Sequence, residues 1–239
     1  MNISGYRGVG VVLFLSIFSL LAFRVGGLAG QAGVLAVSNV ITLSGIEARI
    51  VHIVLSFSML FAICCVYLWY SGRGLSYIDV SWPTYSEWGY ITTGAALSLF
   101  ILVITNIIIS YFRVPTGEST TVATIGHSTE VAILFVFIVF LFNAPVEEIL
   151  FRNIVQKQLT DIYHPAAAIG VASVLFMLMH LPAYTSGTVS NPQVVISLGS
   201  VFCSSTIYGY IYYKTENVLV PSLAHSFYNT VQIGLIILL

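Results

Sequence analysis

The chain has 239 residues, of which 58% are hydrophobic and only 7% charged, where a soluble domain carries about 25% charge. Its 8 Lys/Arg and 9 Asp/Glu are too few to coat a domain of this size in water, so lipid is the natural solvent for most of the chain and an integral membrane protein is expected. A net charge of −1 offers no basic face for nucleic acid, which is excluded as a partner. Cys64, Cys65 and Cys203 lie inside apolar runs without C-x-x-C spacing, and point to membrane packing rather than a disulfide framework.

A helix crosses about 30 Å of hydrocarbon with about 20 apolar residues. In chain order such stretches run near Val9–Gly27, Ile50–Tyr70, Gly89–Phe112, Val131–Phe151, Ala166–Pro182, Val194–Tyr213 and Val218–Leu239. The first follows Arg7 and ends in small residues, as a secretory signal does, but Arg24 sits where cleavage would fall, so a retained helix is expected. Gly26–Glu47, mildly apolar and rich in Gly and Ala, reads as a loop, a re-entrant piece or part of an eighth crossing. The expected fold is all-α: a polytopic transmembrane helix bundle of about seven spans, with eight as the alternative. It forms a single membrane domain over residues 1–239, with no repeat or low-complexity tract.

Loop charges set the expected orientation. Arg7, Arg73, Arg152, Lys157 and Lys214 fall on the side of the N-terminus, against Arg49 and Arg113 on the other. By the positive-inside rule the N-terminus is cytoplasmic and the C-terminus outside, in the cell membrane. The loop Arg152–His164 is then cytoplasmic, and the reactive depth is expected to be reached from that side.

An ionisable group in hydrocarbon costs several kcal/mol unless it faces the bundle interior. Glu47, Asp79, Glu87, Glu118, Glu130, Asp161 and Glu216 avoid this in loops or at span ends, whereas Glu147 and Glu148 continue the apolar run Val131–Val146. Glu148 and Arg152, four apart with the acid first, share a helix face in the favourable orientation for an ion pair. Glu147 points about 100° away, with Asn143 and Phe151 above and below it, and is the carboxylate free for chemistry. Pro145, just before the pair, is expected to kink the helix. Two further intruders follow: His180, with Phe176 one turn earlier, and His225, with Asn229 one turn later. Taken singly, each is equally readable as a helix-packing contact. His52, His127 and His164 read as interface or loop residues, and Tyr208, Tyr210, Tyr212 and Tyr213 as an aromatic belt.

The ordered set Glu147-Glu148-x-x-x-Arg152, Phe176-x-x-x-His180 and His225-x-x-x-Asn229 resembles the CAAX protease and bacteriocin-processing (CPBP) family of intramembrane endopeptidases. That family includes the enzymes that remove the last three residues of prenylated CAAX proteins. The resemblance spans about residues 131–239, and Met1–Glu130 carries no motif. It implies an all-helical membrane protease whose site is built from Glu147, His180, His225 and Asn229, with Glu148 and Arg152 in support. It also implies a peptide or lipidated protein as substrate, with membrane lipid as surroundings.

Amide hydrolysis needs an activated water, donors for the oxyanion and an acid for the leaving amine. Glu147 with His180 suits the first need, and His225 with Asn229 the second. The H-E-x-x-H, G-x-S-G and G-x-G-D strings of other intramembrane proteases are absent from the sequence. Glu147, His180 and His225 are also a set that zinc accepts with water in the fourth position. No nearby acid is evident to orient either His, and Asn229 is not a usual ligand, so a metal-independent glutamate mechanism is the expectation. A proton-coupled transporter and a non-catalytic scaffold or immunity protein are the competing classes. Inverted repeats would mark the transporter, and none is visible.

Overall fold

A computed structural model describes residues 3–118, 122, 128–185 and 188–238 of the chain. Among them the long elements are all helices: α1 (Ile3–Ser38), α2 (Gly45–Tyr70), α3 (Tyr85–Tyr111), α4 (Thr129–Thr160), α5 (Pro165–Thr185), α6 (Asn191–Thr215) and α7 (Leu219–Leu238). The protein is an integral membrane protein: α1 to α6 are long and apolar enough to cross a bilayer. The 20 residues of α7 are also enough in length, but His225, Asn229 and Gln232 lower its hydropathy.

The helix starts are written locally. Ser44 and Glu47 form a capping box on α2, with Ser44 N donating to Glu47 Oε2 at 2.7 Å and Glu47 N to Ser44 Oγ at 3.2 Å. Thr84 N donates to Glu87 Oε2 at 2.7 Å at the head of α3. Pro165, whose missing N–H is spared in a first turn, opens α5. Glu216, with φ 45°, ends α6 in the left-handed region.

The Gly26–Glu47 expectation needs correction. Gly26 to Ser38 continues α1 as one 36-residue helix, about 54 Å long at 1.5 Å per residue, and a loop to Ser44 follows, so this stretch adds no separate crossing. The small residues serve close packing. A Cβ on Gly26 would meet Ser56 O at 2.8 Å, and one on Gly30 would meet His52 O at 2.5 Å, so α1 and α2 pair backbone to backbone.

The α1–α2 hairpin packs on α4 and α5 through one apolar core that includes Leu15, Leu60, Leu68, Phe151, Ile154 and Phe176. On the other side of α4, α3, α6 and α7 close around Ile91, Tyr208, Ile211, Val220 and Ala224. The polar residues of α4 lie between these two cores. The α2–α3 loop is tied across one end of the bundle. Asp79 meets Lys157 Nζ at 2.7 Å and accepts from Tyr212 Oη at 2.6 Å, while Asn217 Nδ2 donates to Ser81 O at 2.9 Å.

Candidate active site

Pro145 has no N–H for the α-helical ladder, and α4 adjusts by widening. Val139–Asn143 and Ile149–Gln156 are π-helical turns on either side of the short α-helical piece Ala144–Glu148. The expected irregularity is therefore a pair of π segments, and both glutamates sit in the piece between them.

Glu147 and Glu148 point different ways, as their 100° offset requires. Glu147 is 3% exposed, and its Oε1 accepts from Asn143 Nδ2 at 2.9 Å while its Oε2 is buried without a hydrogen-bond partner. Glu148 is 0% exposed and spends both oxygens: Oε2 on Arg152 Nε at 2.7 Å, and Oε1 on His225 Nδ1 at 3.0 Å. Arg152, also fully buried, donates from Nη2 to Ser205 Oγ at 2.7 Å and lies 5.4 Å over the Phe176 ring. One carboxylate thus joins α4 to α7, and its arginine joins α4 to α6.

The two imidazoles are fixed at Nδ1. His180 Nδ1 lies 2.9 Å from Phe176 O. A carbonyl only accepts, so Nδ1 carries the hydrogen and Nε2 of a neutral ring keeps its lone pair. The Phe176 ring contacts both histidines, with centroids 4.7 Å from His180 and 5.8 Å from His225. Glu147 is within electrostatic reach of both. Asn229 lies half-buried one turn beyond His225, with no side-chain partner among the described residues. His180 and His225, from two helices, are therefore gathered around Phe176, and Asn229 lies one turn beyond His225. His52 lies at the α1–α2 interface and His164 at the head of α5. His127 lies outside the described residues.

Two expectations are corrected here. First, an acid does orient a histidine: Glu148 holds His225. The i,i+4 match to Arg152 takes one oxygen of that carboxylate and leaves the second for His225. Second, Tyr208 and Tyr212 are 1% and 4% exposed and form no interfacial belt. Tyr208 stacks on His225 and Tyr212 bonds Asp79, while Tyr210 at 51% and Tyr213 at 41% face outward. Toward the Lys157 end every residue from Leu150 to Gln156 is buried, and the α2–α3 loop is tied over that end. The half-buried Asn143, His180 and Asn229 all lie toward the other end.

Among the described residues, no group of three His, Cys, Asp or Glu is placed to hold a metal ion. The Nδ1 bonds of His180 and His225 leave Nε2 open on both rings, and a carboxylate on Nδ1, as Glu148 is on His225, is also the usual orienting partner of a metal-ligating histidine.

No curated protein and no solved structure matches the chain. Residues 129–231 match the model of a family described as Rce1-like, type II CAAX prenyl endopeptidase Rce1-like. This segment therefore carries the pattern of that family of CAAX-type membrane proteases, which at family level implies protease activity on a peptide or protein substrate.

Proposed function

We propose that the chain is an intramembrane endopeptidase in which Glu147 and His180 activate a water for attack on a peptide carbonyl. The observation behind this reading is the unpartnered Oε2 of Glu147, a buried carboxylate oxygen left without a donor while His180 and His225 stand within electrostatic reach. Leaving such an oxygen unpaired is costly, and a water between it and His180 Nε2 satisfies both. Glu147 takes the water proton, the hydroxide oxygen bonds to the carbonyl carbon, and the oxyanion accepts from Asn229 Nδ2 and from Nε2 of His225 in its imidazolium form. Collapse breaks the C–N bond, and the proton passes to the leaving amine by way of His180. Glu148 and Arg152 hold this constellation in place. The reaction is metal-independent, and the substrate is a peptide or lipidated protein segment at the membrane, presented from the end of the bundle that carries Thr185.

The test is peptide cleavage by purified protein in detergent. Glu147→Gln and His180→Ala are expected to fold normally and to lose about 10²–10⁴-fold in rate. Protein stripped with chelator and shown by elemental analysis to hold no metal keeps its activity. Cleavage by Glu147→Gln at the wild-type rate would overturn the assignment, and a loss restored only by added metal would overturn the metal-independent step.

A further inference from the structure

Besides Glu148 and the Phe176 ring, the His225 ring has a third neighbour. Tyr208, on α6, lies nearly parallel to it, with ring centroids 5.0 Å apart and planes 19° apart, an arrangement of the offset-stacked kind. Tyr208 is 1% exposed and is itself held by Ile91, Ile211, Val220 and Ala224 from α3, α6 and α7. An imidazole has a broad torsional well at its second side-chain bond. A single hydrogen bond at Nδ1 fixes one edge of the ring and leaves its plane free to tilt about that bond. A rigid aromatic face removes the tilt. Nε2, opposite the edge held by Glu148, has no hydrogen-bond partner among the described residues, and its direction is set by Glu148, the Tyr208 face and the Phe176 edge together.

From this geometry we infer that Tyr208 is a positioning residue for His225, its ring face fixing the imidazole plane so that Nε2 meets the developing oxyanion. The inference rests on the role proposed above for His225. It assigns a task to a tyrosine that lies outside the three motifs, on a helix that contributes none of them. The ring does this work: a phenylalanine retains the face, and a leucine of the same burial does not.

Two readouts test it, one of which needs no catalysis. On a peptide that the wild type cleaves, Tyr208→Leu is expected to lower kcat about 10–100-fold, the scale of a small misplacement of a reacting group, with KM unchanged. Tyr208→Phe restores most of the loss. In histidine-labelled protein, with the His225 signal assigned by its absence from His225→Gln, the Cε1 proton shows the upfield ring-current shift of a stacked partner. That shift persists in Tyr208→Phe and vanishes in Tyr208→Leu. Tyr208→Met, which fills the site without a ring face, replaces Tyr208→Leu should that variant fail to fold. An unchanged kcat in the ringless variant, a Tyr208→Phe protein as slow as it, or no ring-current shift in the wild type would each overturn the inference. If the wild type cleaves no peptide, the proteolytic reading falls, and the ring-current comparison alone decides whether Tyr208 sets the imidazole plane.

Discussion

Neighbouring carboxylates in one helix turn have different partners here, and their expected behaviour differs accordingly. Glu147 keeps an oxygen free, whereas Glu148 has Arg152 on one oxygen and His225 on the other. Removing one member of a buried ion pair strands the other, at a cost of about 3–5 kcal/mol. Glu148→Gln therefore lowers folded yield and melting temperature at least as much as specific activity, measured on the same purified sample. A Glu148→Gln protein as stable as the wild type but inactive would move Glu148 into the chemistry itself. The Glu148–Arg152 pair and the Asn143–Glu147 hydrogen bond are legible in the sequence, because they follow from helical spacing alone. The Glu148–His225 bond joins residues 77 apart in the chain, and no local spacing encodes it.

At the level of elements, the site depends on how closely α6 approaches α4. Gln156 Nε2 donates to Gly209 O at 2.8 Å. A Cβ on Gly209 would lie 2.8 Å from Gln156 Oε1, 3.0 Å from Ile169 Cγ2 and 3.3 Å from Arg152 Nη1. Gly209 is the notch that lets the backbone of α6 sit against the polar face of α4. Gly209→Ala is expected to overpack this contact by about 1–3 kcal/mol and to lower the melting temperature and Arg152-dependent activity together. Gly199→Ala on the same helix, where an added Cβ meets nothing within 4 Å, is the matched control and leaves both unchanged. Both variants are read by thermal unfolding in detergent. Helix existence along the chain is legible from apolar length, and helix starts from Ser44, Thr84 and Pro165. The reach of α1 to Ser38 is not, because a Gly-rich stretch is a poor helix in water and a good one where it packs on another helix.

For the whole molecule, the α2–α3, α4–α5 and α6–α7 connections share one end, where Arg73, Lys157 and Lys214 lie, and by the charge bias that end is expected to be cytoplasmic. Lys157 is tied to Asp79, so the exposed His164 in the same loop is the better position for a probe. In intact cells, with the native cysteines replaced, Thr185→Cys is expected to react with an impermeant thiol reagent and His164→Cys only after lysis. His180→Cys is expected to react from the Thr185 side, because the run Leu150–Gln156 toward the other end is buried. Labelling of His164→Cys alone would invert the orientation, and labelling of His180→Cys only after lysis would move the access to the Lys157 end.

Composition, apolar length and intra-helix spacing are properties of short segments. From them the amino-acid sequence by itself determined that this is an all-helical membrane protein, where most of its helices lie, and which of its acids and histidines stand out from the apolar runs. What each polar side chain touches was decided only by the tertiary structure. Glu148 meets His225, Tyr208 leaves the expected belt to stack on an imidazole, and Asp79, within its loop, binds Lys157 and Tyr212. The physical reason is the same each time. In a bundle wrapped in lipid, a polar group has little water to turn to, so it finds its partner on whichever helix packing places beside it.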